Sequence, residues 1–99
     1  MIVEHAHVTV KPGSGPAFEA AVAEAAATIF PRAEGYLGYA LHHCIEAPDD
    51  YVLALRWRRL EDHVVGFREG PLFAEWRALV GPHFGEPPMV LHFAIIAES

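Results

Sequence analysis

Two segments, YVLAL at residues 51–55 and MVLHFAII at residues 89–96, are apolar at nearly every position instead of every second one. A strand with one face on a core and the other in water alternates, because successive side chains point to opposite sides. These two segments therefore need cover on both faces. The chain has 99 residues, close to the size at which a single core is only just sufficient, and 53% of them are hydrophobic. That is more apolar surface than so small a body can bury alone. The simplest cover for a second sheet face is the same sheet from another copy, so a face-to-face homodimer is expected.

The remaining elements follow from periodicity and punctuation. Residues Ile2 to Val10 read as a strand, and KPGSGP as a turn that places Pro16 in the first turn of a helix. The helix runs through AFEAAVAEAAATIF, with Phe18, Val22, Ala25 and Ile29 at helical spacing, and Pro31 discourages its continuation. Strands over Gly38–Glu46 and Tyr51–Arg58 are joined by Ala-Pro-Asp-Asp as a hairpin. LEDHVVGF is helical, with Glu61 and Asp62 near the positive end of its dipole. Gly70-Pro71 breaks it and restarts PLFAEWRALV, which Gly81-Pro82 stops. PPMVLHFAII is the closing strand. The order is βαββαβ, an α+β ferredoxin-like fold with an antiparallel four-stranded sheet, in a single domain over residues 1–99.

The net charge of −6 and a pI of about 5.5 argue against polyanionic partners, so neither nucleic acid nor an anionic membrane surface is expected. The one cysteine, Cys44, cannot form an internal disulfide and reads as a buried strand thiol. With no cationic leader in MIVEHAHVTV and no apolar run of membrane-spanning length, a soluble cytoplasmic protein is expected. RNA-recognition domains share this topology, but they stack bases on sheet aromatics flanked by Lys and Arg, and Lys11 is the only lysine here.

Several apparent motifs have plainer readings. GSGPAF follows a strand and opens a helix like a dinucleotide fingerprint, but Phe18 occupies the third glycine's place. His42 and His43 are adjacent on a strand and point to opposite faces, so they are no metal pair. His5 and His7 share a face, and His92 could approach them from the last strand as a third imidazole. Without carboxylate or cysteine ligands at matching spacing, histidines lining a dimer interface are the better account, and no metal is expected. RWRR is too small a basic run for nucleic-acid binding on an acidic domain.

The opening strand followed by VKPG, then EGYLGYALHH, YVLALRWRRLEDHVVGF, PLFAEWRAL and PPMVLHF, resembles the antibiotic biosynthesis monooxygenase family over nearly the whole chain. Its motifs are spaced hydrophobic and aromatic positions in a set order, not an invariant signature. The resemblance implies a dimeric α/β barrel. It also implies oxygenation of aromatic substrates without metal or flavin, and hence no cofactor. A related branch degrades haem, with an asparagine on the first strand and a tryptophan and histidine on the second helical region. Here the asparagine's place falls near Ala6 in a chain without asparagine, and the histidine's place falls at about Trp76. Haem degradation is disfavoured, with His83 the one residue that could substitute from further along.

Chemistry without a cofactor requires a base and a dry cavity. Histidine suits the first, since its ordinary pKa is about 6.5. His63 and His83 are the candidate catalytic bases, with His43 third and also a candidate substrate contact. Phe73, Trp76, Leu79, Val80 and His83 form one stripe if the helix continues that far. Phe73, Leu79 and Val80 read as seating the helix on the sheet. Phe67 and Trp76 are the candidate lining of a pocket between helices and sheet, where the broken helix leaves room for a flat ring. Trp57, at a strand end, is a further candidate with a core role as its competing reading. The functional expectation is a cofactor-independent monooxygenase acting on a small aromatic phenol, quinol or anthrone-like molecule. The alternative is a non-catalytic small-molecule-binding or dimerisation module of the same fold.

Overall fold

A computed structural model describes residues 1–99. Strand β1 (Ile2–Thr9) leads through Lys11–Ser14 into helix α1 (Gly15–Thr28), and β2 (Tyr36–His43) and β3 (Asp50–Trp57) form the hairpin. A π-helical turn (Asp62–Phe67), helix α2 (Pro71–Val80) and β4 (Met89–Ala94) complete the chain. The sheet order is β2-β3-β1-β4, and every neighbouring pair is antiparallel. The fold is the expected α+β ferredoxin-like one. No helix is long and apolar enough to cross a membrane.

The register sorts side chains onto two faces, because directly paired residues point the same way. On the helix side Glu4, Ala6 and Val8 of β1 stand opposite Leu55, Leu53 and Tyr51 of β3, with Trp57 at the end of the same row, all buried. Phe18, Ala21, Val22, Ala25 and Ile29 of α1 close over them. On the other side lie Val3, His5 and His7 with Val52, Ala54, Met89, Leu91 and Phe93. Met89, Leu91 and Phe93 remain 55%, 44% and 46% exposed, so this face carries a broad apolar surface that the single chain does not cover.

Element ends differ from the sequence reading for local reasons. β2 starts at Tyr36, earlier than expected, because Gly38 sits at φ 153° in a bulge that keeps the ladder going upstream. Pro31 does not end helical structure outright; it enters a 3₁₀ turn over Phe30–Arg32. α2 likewise runs into a 3₁₀ turn at Gly81–His83. Cys44 falls just beyond β2 and is half-buried, not a buried strand thiol. His5, His7 and His92, set aside above as a metal cluster, do not come together. His92 pairs with Glu4 and shares its helix-side face, whereas His5 and His7 lie on the other.

Candidate active site

The LEDHVVGF segment sets the site's geometry. It begins as a helical turn and then widens, so that the Arg68 N–H donates to the His63 carbonyl five residues back at 2.9 Å. Asp62 anchors the start of this turn. Burial alone would raise its pKa, but a hydrogen bond from Arg59 and the charges of Arg58 and Arg59 hold the carboxyl below its ordinary range. Gly35, at φ 83°, passes so close to the Asp62 carboxylate that a Cβ there would collide with it. The wide turn directs His63 and Phe67 inward, 3% and 5% exposed. α2 then packs mainly against α1 and the turns at its own ends, leaving space above the sheet.

That space is a cavity of about 520 Å³, within the range of small-molecule sites. Its floor is Glu4, Ala6 and Val8 of β1, Leu53 and Leu55 of β3, and Val90 of β4. Ala6, at the centre of β1, keeps that floor low. The walls are Phe30, Phe67, Phe73, Trp76 and Phe84, and Arg68, Arg77 and Glu86 stand among the lining residues as exposed charges. Trp76 lies half-buried with its ring 5.3 Å from that of Phe30. Phe73 therefore borders the cavity and does more than seat the helix.

A continuous set of polar groups crosses the floor. The Trp57 indole N–H donates to Glu4 Oε1 at 2.9 Å, and His63 Nε2 lies 3.2 Å from the same oxygen. His63 Nδ1 lies 2.8 Å from His92 Nε2. Burial pushes the Glu4 carboxyl up to about 7, against the lowering effects of the Trp57 hydrogen bond and the Arg68 charge. Burial, with the nearby His92 and Arg68 charges, pushes His63 down to about 4. Burial and Arg68 lower His92 as well. Each group moves towards its neutral form, so below neutrality the 3.2 Å Glu4–His63 approach joins a carboxyl and a neutral imidazole and is not an ion pair.

Of the candidate residues, His63, Phe67 and Trp76 meet at the cavity. Trp57 is fully buried beneath it and is not itself a lining residue; its ring stacks 5.3 Å from His63 and its N–H reaches Glu4. His83 is not among the lining residues; its segment runs beside the end of β1, where its carbonyl accepts from the Lys11 N–H at 2.9 Å. His43 is exposed and stacks on Tyr51 at 4.4 Å, away from the cavity. The sequence reading missed Glu4. Its signal was an acid on the strand face shared with Ala6 and Val8.

A model of the antibiotic biosynthesis monooxygenase family matches residues 1–79, which carry Glu4, His63, Phe67 and Trp76. The chain belongs to that family. Among similar proteins, the uncharacterized protein YczJ of Bacillus subtilis is 37% identical over 93 residues, covering 94% of this chain and 97% of that one. A crystal structure of a Bordetella bronchiseptica protein described under the same family name is 46% identical, with a TM-score of 0.93 and 97% of each chain covered. SnoaB, a cofactor-independent oxygenase from Streptomyces nogalater solved as a point mutant, is 18% identical. It superposes with a TM-score of 0.81 over 98% of this chain and 94% of its own, a likeness of fold alone.

Proposed function

We propose that this member of the antibiotic biosynthesis monooxygenase family is a cofactor-independent monooxygenase that oxidises a small phenol, quinol or anthrone-like substrate with molecular oxygen. The observation that carries this reading is an aromatic-walled cavity of about 520 Å³ lined by Glu4 and His63, whose side chains approach to 3.2 Å. Flat rings suit Phe67, Phe73 and Trp76, and Ala6, Val8, Leu53, Leu55 and Val90 give a carbanion a largely apolar surface to lie against. The Glu4–His63 pair supplies the base. With an anthrone, loss of a proton from the CH₂ carbon gives an anion that passes one electron to oxygen. The two radicals combine as a C–O bond and the peroxide takes a proton; the carbon's second C–H bond then gives up its proton, its electron pair forms the C=O bond, and the O–O bond breaks as hydroxide leaves and takes that proton to become water. One O₂ becomes the new carbonyl oxygen and one water, and the substrate's own electrons are the reductant. SnoaB supports the reading by analogy of fold.

The active unit is proposed to be a homodimer, joined through the apolar sheet face. A binding module of the same fold would use the cavity without chemistry, and the Glu4 carboxyl, raised to about 7 by burial and so poised to exchange a proton near neutrality, favours the catalytic reading. Oxygen uptake by the purified protein with anthrone or a quinol tests the proposal. His63→Gln is expected to lose turnover while retaining ligand affinity. Equal turnover in the variant, or binding without any uptake by the wild type, would count against it.

A further inference from the structure

Building on that proposed reaction, we infer that Glu4 Oε2 is the atom that takes the substrate's proton, and that His63 and His92 relay it to the edge of the sheet. Both of His63's ring nitrogens face protein groups, Nε2 towards Glu4 Oε1 at 3.2 Å and Nδ1 towards His92 at 2.8 Å, so neither is directed at a substrate. On Glu4, the contacts from Trp57 and His63 both fall on Oε1. Oε2 has no protein partner, and it is not among the sealed, unpartnered polar atoms, of which Asp62 Oδ2 is the one case. Since Glu4 lines the cavity, Oε2 is the basic atom open to a bound molecule.

The relay balances without a resident imidazolium. With Glu4 ionised, Trp57 donates to Oε1, and the His63 Nδ1–H donates to Nε2 of a His92 that carries its own proton on Nδ1, which leaves His63 Nε2 bare 3.2 Å from Glu4. The substrate's C–H or O–H bond breaks, its electron pair stays on the substrate, and the proton bonds to Oε2. A half-turn of the carboxyl about its last torsion, which is soft and two-fold, brings that O–H to the His63 side. The proton then moves to Nε2 of a His63 whose tautomer has its proton on Nδ1. That second proton passes to His92 Nε2, and His92 releases its Nδ1 proton to solvent from the half-buried edge strand β4. The groups facing Glu4 from the surrounding elements are Trp57 of β3, His92 of β4, and His63 and Arg68 of the π-helical turn and its end. The nearest of these that is charged at neutral pH is Arg68, which favours the ionised carboxylate.

The test is anaerobic hydrogen exchange of anthrone in deuterated buffer, read by mass spectrometry of its CH₂ carbon. The wild type should accelerate exchange, with a rate that rises with pH through about 7 as Glu4 ionises. Glu4→Gln should lose roughly 10² to 10⁴ of the rate, the range of general-base effects. His92→Ala should incorporate deuterium more slowly and recover when imidazole is added, a rescue that a merely structural residue would not show. His83→Gln should behave as the wild type. A Glu4→Gln protein that exchanges normally, a wild-type profile flat through neutrality, or no acceleration by the wild type at all would overturn the assignment. The pH profile needs no variant, so it decides even where a variant fails to fold. Exchange that depends on Glu4 without any oxygen uptake in air would leave this assignment standing and remove the monooxygenase reading instead.

Discussion

Glu4 and His92 are directly opposed across the β1–β4 ladder, and both reach the single imidazole of His63. A carboxyl that prefers its proton and an imidazole that refuses one thus sit in the same buried contact, and their effects on stability run in opposite directions with pH.

Glu4 rises from 4.5 to about 7 on folding, so the stability it contributes is full below pH 4.5 and is lost as pH rises through about 7. His63 falls from 6.5 to about 4, so its contribution is present above 6.5 and is lost as pH falls through about 4. Between 4.5 and 6.5 the two slopes cancel. Denaturant unfolding of the wild type should show little pH dependence from this pair there, whereas Glu4→Gln should lose on the order of 3 kcal/mol on acidification from 6.5 to 4. A variant with the same pH dependence as the wild type would show that the two groups are not shifted as described.

Trp76→Phe removes part of a cavity wall while leaving the buried Val80 and Phe18 core intact. Affinity for a flat aromatic ligand should weaken by about 0.5 to 1.5 kcal/mol, with little change in Tm. A clear stability loss with unchanged affinity would make Trp76 a core residue only.

The uncovered face carrying Met89, Leu91 and Phe93 predicts a dimer that buries more than about 1,000 Å² in total. Leu91→Arg would place a charge on that face and should shift light scattering towards the monomer. A wild-type chain that is a stable monomer at micromolar concentration contradicts the prediction.

Ala6 and Trp76, near which the family resemblance puts the haem-degrading branch's asparagine and histidine, both line the cavity. Titration with haemin should give no sharp Soret band at equimolar ratio. A sharp band that disappears in His83→Ala would assign His83 the ligand role denied to it here.

The strands and helices were legible because each has strong periodicity and Gly-Pro punctuation, and the continuously apolar strands carry their own signal. The π-helical turn was not, since a five-residue and a four-residue hydrogen-bond spacing draw on the same residues in LEDHVVGF. His92 was visible as the one polar break in an apolar run, but its face depends on how β4 registers against β1. That is a long-range choice, and period two alone does not make it. Glu4 stood on a readable face with Ala6 and Val8, yet its partner Trp57 is 53 residues away. His83 lay on the helical stripe in projection, but the 3₁₀ turn at Gly81–His83 takes it out of line with Trp76.

Oxygen uptake with anthrone, in buffer without added metal, flavin or haem, tests the proposed activity most directly. Uptake is expected mole for mole with anthraquinone formed, at a rate that collapses in Glu4→Gln. Saturable binding of anthrone with no uptake above the protein-free rate would contradict it.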